Sequence, residues 1–480
     1  MRRLAFAVLA AATFACGEAA PTSPTDAGVD APPPVPLSAL LSIDEVAGYQ
    51  TVKVDVVKDG AAVAGKYNAP LLTSKAGIFR VFYKLDPKKK FRQRTIEAEL
   101  HLVTDGDNVL KEAKTIIAAS NEDSYPSTFN FSFDDTMLTT ATSFYVVLRD
   151  PALAAQGTDV AEVRYPAEGT QPITVSANPG TVRVVIVPIQ YGADQSGRLP
   201  DTGATQLAAM NAYLLDMYPV NKVSLTVRST PLVWGSAVDA NGNGWGELLD
   251  AIVQLRAQDK PPSGTYYVGA FQPKDTFSSF CNGGCVLGLA ANVTGAFDVS
   301  ERAVISVGYN GNQFNETVAH ELGHVHGRFH SPCGGAQGTD PKYPYAGGAS
   351  GVSGYRISQA ALIPGGTLDL MGYCQPEWIS DDTYQALFDR VKIVNGAAVN
   401  CTIPTQSYER ILIGEGGVVV RRSTMVREEP GGEVRDVSAT FADGTKRTIH
   451  GHWVAFDHVD GGFLYVLSKS VGDVTRIAKP

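Results

Sequence analysis

Between about 38 and 175, apolar and polar positions alternate with a period of two. Val52, Val54 and Val56 alternate with Lys53 and Asp55; Ile96, Ala98, Leu100 and Leu102 with Glu97, Glu99 and His101; and Phe129, Phe131 and Phe133 with Asn130 and Ser132. Alternation puts one face of each strand in a core and the other in water. With turn signals such as Asp105-Gly106-Asp107-Asn108 between the runs, it predicts an antiparallel β-sandwich over 38–178. His101 stands on a polar face and is expected to be solvated. Near 180 the pattern changes. Val182 to Ile189 is almost continuously apolar, as in a central strand, while Leu207, Met210, Leu214 and Tyr218 recur at helical spacing until Pro219 stops them. A second helix is predicted from Trp245 to about Gln258, and strands at Thr265–Phe271 and Ala303–Gly308. This alternation predicts a separate α/β domain over 179–402. From 403 to 480 the chain returns to short β runs with hairpin signals at Pro430-Gly431-Gly432, Asp443-Gly444 and Asp460-Gly461-Gly462. The chain therefore reads as multidomain α+β: an N-terminal antiparallel β-sandwich, a central α/β domain and a small C-terminal β domain.

The first residues read as an address. Arg2 and Arg3 precede the apolar stretch Leu4–Ala15, and Cys16 follows, the order of a secretory signal over 1–15. Thr13-Phe14-Ala15-Cys16 resembles a bacterial lipobox, in which the cysteine is lipidated. Residues 16–37 are then a Pro-rich tether; within 17–36 there are six Pro and no Lys or Arg. Such a segment buries little and stays extended. The expectation is an exported protein, either a membrane-anchored lipoprotein facing the periplasm or cell surface, or a secreted one.

Composition narrows the partners. A formal charge of −9 argues against nucleic acid as the main partner. Of eight His, four fall within 320–330, and chemistry is sought there first.

That segment reads His320-Glu321-Leu322-Gly323-His324-Val325-His326-Gly327-Arg328-Phe329-His330. Residues four apart share a helix face, so His320 and His324 can present two imidazoles to one ion. Glu321 projects about 100° round from His320, beside the metal rather than on it. Val318, Leu322 and Val325 supply the apolar side that seats the helix. Gly327 can take positive φ and end it, after which His330 can supply a third nitrogen. Three protein ligands with a fourth position left open is the catalytic form of a zinc site. His326 points away from that face. The three C-terminal His (450, 452 and 458) read as solvent-facing strand positions, since no Cys or ligand-spaced acid joins them.

HExxHxxGxxH resembles the zinc signature of the metzincin metallopeptidases. That clan also has a Met-turn beneath the zinc, often with Tyr two residues on. Asp369-Leu370-Met371-Gly372-Tyr373 matches both positions. The resemblance covers about 182–390. It implies a metzincin-like catalytic domain with one catalytic Zn²⁺ on His320, His324 and His330, Glu321 as general base, Met371 as the Met-turn residue, and Tyr373 on the zinc or the oxyanion. The segments His330-Ser331-Pro332-Cys333-Gly334 and Met371–Ser380 are similar to bacterial surface and secreted mucin-cleaving-type peptidases; mucin as substrate does not follow from this. Ala303–Gly308 is expected to be the edge strand that pairs with an extended substrate.

An exported chain should oxidise its cysteines. Cys333 lies three residues past a zinc ligand and Cys374 three past Met371, so a bridge between them would brace the site. Cys281 and Cys285 could close a small loop, leaving Cys401 unpaired, although five Cys with one free allow 15 arrangements. Asp239, Asn241 and Asn243, with Asp250 at the twelfth position, resemble the start of an EF-hand calcium loop; an Asn/Gly-rich turn is the favoured reading.

The leading expectation is a zinc-dependent endopeptidase that hydrolyses peptide bonds of extracellular proteins or glycoproteins. The rival is a surface adhesin or binding lipoprotein in which proteolysis is secondary or lost.

Overall fold

Two antiparallel sheets face each other at the N-terminal end, built from the alternating runs. In the computed structural model, which describes residues 35–292, 295–396, 404–468 and 473–478, one sheet has the order Ala61–Ala62, Lys53–Lys58, Leu41–Tyr49, Gly77–Leu85, Phe129–Phe133. The other runs Glu162–Tyr165, Ser143–Arg149, Arg94–Val103, Asp107–Ile116. Ile96, Ala98, Leu100 and Leu102 are buried in the same core as Phe129, Phe131 and Phe133. His101 departs from expectation. It is only 8% exposed, because its cross-strand neighbour Tyr145 stacks on the ring at 4.0 Å between centroids and Asp107 Oδ2 takes Nδ1 at 2.8 Å.

The central sheet has the order Lys222–Val227, Thr181–Tyr191, Thr265–Phe271, Ala303–Val307, Gly288–Ala290. The first four strands are parallel and the last is antiparallel. Parallel strands need crossovers, supplied here by the helices Ala204–Met217 and Trp245–Asp259. The edge next to helix Asn312–Val325 is therefore Gly288–Ala290, and Ala303–Val307 lies inside the sheet. The expectation that Ala303–Gly308 forms the edge is corrected: the three-residue return strand Gly288–Ala290 pairs outside it. Helix Asn312–Val325 packs on this end of the sheet, and helix Asp381–Gly396 follows the Met-containing turn.

The C-terminal sheet is antiparallel, in the order Val419–Arg427, Gln406–Ile413, Gly462–Leu467, Lys446–Ala455, Glu433–Phe441, Val474–Ile477. Its outer strands approach at the bridge Val418–Arg476, curling it into a half-barrel.

The three parts are not insulated from one another. The described residues from 36 onward form one compact unit with a core that runs from the sandwich through the central sheet. Lys75 of the sandwich donates to the carbonyls of Leu215, Tyr218 and Val220 at 2.8–3.1 Å, satisfying the end of helix Ala204–Met217. Thr51 O accepts from Trp378 Nε1 at 3.2 Å. On the other side, fully buried Arg427 sits among Asp298, Glu301 and Glu428, and Arg410 pairs with Asp250. A charge buried with its partners holds one arrangement of the two parts, since any other leaves it unpaired.

Candidate metal centre

Helix Asn312–Val325 places His320 and His324 one turn apart on one face, both buried. Gly327 has φ +87° and ends the helix, as its position suggested. The chain then returns to set His330 against the other two. The Nε2 atom of His324 is 3.1 Å from that of His320 and 3.2 Å from that of His330.

The outer nitrogens decide the protonation. The Nδ1 atoms of His320, His324 and His330 lie 2.7, 2.8 and 2.5 Å from the carbonyls of Leu370, Arg328 and Gln337. A carbonyl only accepts, so each Nδ1 carries the hydrogen and each Nε2 presents a lone pair. Three lone pairs then converge with no proton between the rings, an arrangement that a shared cation satisfies. Burial drives all three imidazoles toward neutrality, His330 to about 4 and the other two well below the usual range, with the neighbouring imidazoles adding to it. Neutral, carbonyl-oriented imidazoles are the form in which histidine binds metal. Together with Asp457 and His458, these residues bring ligand atoms within 4.8 Å of one another, a cluster that can hold a metal ion.

Glu321 is fully buried beside the cluster, facing the Asp457 carboxyl. Burial pushes its carboxyl up to about 8. Gly288 of the edge strand is what admits it: a Cβ there would lie 2.2 Å from Glu321 Oε1. Beneath the helix, Met371 is 1% exposed, and a Cβ at Gly323 would lie 2.4 Å from its Sδ. Buried Asp369 shapes the turn by accepting from Met371 N and Ser380 N, both at 2.8 Å. The Tyr373 hydroxyl is 3.2 Å from His330 Nε2. Cys333 and Cys374 are bridged across this turn, and Cys281 and Cys285 form the second disulfide. Two disulfides fit an exported protein. Cys401 and Cys16 lie outside the described residues, as do the signal and tether up to 34; among the described residues no helix is long and apolar enough to cross a membrane.

The sequence reading misplaced one residue of the centre and missed another. His458, expected on a solvent-facing strand, is stacked over the metal face, its ring 5.3 Å from that of His320 and 5.1 Å from that of His330. Its Nε2 is 3.1 Å from Glu321 Oε1, and its Nδ1 meets the Tyr373 hydroxyl. Asp457, fully buried, brings Oδ2 to 3.3 Å from His324 Nε2. Burial, followed by the facing Glu321 carboxylate, pushes Asp457 well above the usual carboxylate range. Both residues sit at a hairpin tip of the C-terminal sheet; the one sequence signal was a polar Asp-His pair just before Asp460-Gly461-Gly462. His326 does face away, buried against Tyr266 at 4.5 Å between ring centroids. His450 is exposed and bonds Asp436.

The segment at 239 is a turn. Asp239 Oδ1 accepts from the amides of Asn241 and Asn243, and Oδ2 accepts from the Asn243 side chain at 2.7 Å. Asp250 lies buried on the following helix, paired with Arg410 and Arg421. Two guanidinium groups stand where a calcium loop needs its twelfth-position ligand, which corrects the EF-hand reading of Asp239, Asn241, Asn243 and Asp250.

No family model and no curated protein sequence matches the chain. Solved structures with a partial likeness include a calcium-binding mutant of Bacteroides uniformis β-glucuronidase 2, at 10% identity and TM-score 0.15 over 44% of this chain and 29% of that one. Bacteroides uniformis β-glucuronidase is similar at 11% identity and TM-score 0.15 over 42% and 26%. The chain thus spans less than a third of either structure's length, and at that TM-score the likeness says nothing of fold or chemistry.

Proposed function

We propose that this protein is a zinc-dependent endopeptidase of the metzincin type, acting on extended polypeptide segments of extracellular proteins or glycoproteins. The observation that carries the reading is the convergence of three proton-free Nε2 atoms beside one buried carboxylate. Bound there, a zinc ion supplies Lewis acidity, acidifying a water and polarising the scissile carbonyl. His320, His324 and His330 hold their orientation through the carbonyls of Leu370, Arg328 and Gln337. Glu321 takes the proton of the attacking water and delivers it to the leaving amine nitrogen. The Tyr373 hydroxyl donates to the carbonyl oxygen as negative charge develops on it. Gly288–Ala290 offers the edge along which an extended chain can add as a further strand. A lipid on Cys16 and the tether that follows would hold the enzyme at a membrane surface.

The test is metal content together with cleavage of an unfolded-protein library. One zinc per chain is expected, lost in His324→Ala. Cleavage is scored for the wild type and Asp457→Ala, each with and without Glu321→Ala. Cleavage indifferent to Glu321→Ala, or absent from all four zinc-loaded proteins, refutes the peptidase reading and leaves the adhesin alternative.

A further inference from the structure

We propose that the hairpin tip Phe456–Gly461 of the C-terminal sheet is a built-in occupant of the substrate cleft that keeps the metal centre closed. The inference rests on the peptidase reading and adds its regulation. The backbone observation comes first. Phe456 forms an antiparallel bridge with Ala291, Asn292 N donates to Ala455 O at 2.9 Å, and Asp457 N donates to Ala290 O at 3.3 Å. The segment lies along the edge strand as an added strand would, taking up the donors and acceptors that an extended substrate needs.

The side chains complete the closure. Ala290 N donates to Asp457 Oδ1 at 3.0 Å, which turns Oδ2 toward the three imidazoles, 3.3 Å from His324 Nε2. Three His and a carboxylate make a four-ligand, closed site, whereas hydrolysis needs one position free for water. His458 occupies the other two groups of the machinery, with Nε2 on Glu321 and Nδ1 on the Tyr373 hydroxyl. One dipeptide thus engages the metal's remaining position, the general base and the phenol together.

The tip also interrupts a groove. Cavities of about 570 Å³ and 540 Å³ open on its two sides, and both are lined in part by Tyr373 and His458. The first runs along Gly288 and Thr317; the second lies between Phe329 and Trp453. A polypeptide passing from one to the other would cross the place of Asp457. The tip does not swing freely, since its strands belong to the sheet that Arg427 and Arg410 tie to Asp298, Glu301 and Asp250.

The test uses the full chain loaded with Co²⁺, whose visible absorption reports its ligands, and acetohydroxamate as the probe of an open position. The wild-type spectrum is expected to stay unchanged with acetohydroxamate. Asp457→Ala, and Asp457→Asn as the variant of nearly equal size, should each still bind one Co²⁺ and shift their spectra on adding it. A wild-type spectrum that responds to acetohydroxamate overturns the proposal, whatever the variants do. Loss of Co²⁺ from both variants also overturns it, since Asp457 would then be a structural ligand. Peptide cleavage is read separately: at least tenfold faster hydrolysis by the variants is expected. No hydrolysis by variants whose cobalt site has opened refutes the peptidase reading while the closure stands.

Discussion

Gly323 lies inside helix Asn312–Val325, where helix propensity alone says that Gly→Ala should stabilise by about 1 kcal/mol. The structure predicts the opposite sign. A Cβ at Gly323 would stand 2.4 Å from Met371 Sδ and 3.1 Å from its Cε, against an ordinary separation of about 3.5–4.0 Å. Met371 is 1% exposed, so the thioether has no open space to enter. Overpacking of this kind costs about 1–3 kcal/mol, and set against the propensity gain it leaves a net loss of about 1 kcal/mol. Met371→Ala alone should cost about 2–5 kcal/mol. In that background the clash is gone, and Gly323→Ala should recover about 1 kcal/mol, an interaction energy on the order of 2 kcal/mol between the two sites. The assay is urea unfolding of the four proteins in the metal-free state. Metal titration is the second readout, because Leu370 O, next to Met371, holds His320 Nδ1 at 2.7 Å, so displacing the turn should also lower affinity. Gly323→Ala that stabilises the wild type, or that has the same effect in both backgrounds, refutes the claim that this contact seats the helix on the turn.

Arg427→Met should destabilise the chain by about 3–5 kcal/mol, because it strands the buried carboxylates of Asp298 and Glu301; a loss below about 1 kcal/mol in chemical denaturation would show that the ion cluster does not hold the C-terminal sheet. Replacing Cys333 and Cys374 together by Ser opens a bridge between residues 41 apart in sequence and should cost about 2–4 kcal/mol, measured against the wild type under reducing and non-reducing conditions; equal unfolding midpoints in both would contradict it. Burial pushes Glu377 up to about 7 from an ordinary 4.5. The folded chain therefore keeps a proton that the unfolded chain gives up, so this group's contribution is complete below about pH 4.5 and is lost as pH rises toward 7. Glu377→Gln should flatten the fall in unfolding midpoint across that window, and an unaltered slope would sink the assignment.

Much of the centre is local chemistry and was legible residue by residue. A helix repeats every 3.6 residues, so His320 and His324 share a face wherever that helix is packed, and Glu321 stands beside them. Gly327 is the residue that tolerates the turn bringing His330 back. The period-two alternation of 94–103 and 129–133 carries its own strand geometry in the same way. The departures have a common cause. Gly288–Ala290 is only three residues long, and which strand becomes an edge is a property of the whole sheet. His101 is covered by Tyr145, a cross-strand neighbour that spacing does not identify. At 239–250 the turn reading stands over the calcium alternative, and the reason is again long-range: Asp250 meets Arg410, 160 residues away.

The sequence by itself determined three imidazoles, a neighbouring carboxylate and a methionine turn, because each depends on short-range backbone geometry. Only the tertiary structure decided what covers them. His458 meets Glu321 across 137 residues, and nothing in the spacing of a β hairpin says which surface its tip will reach. That was settled by packing: buried arginines fix the C-terminal sheet against the central one, and the bridge from Phe456 to Ala291 brings Asp457 over the metal face.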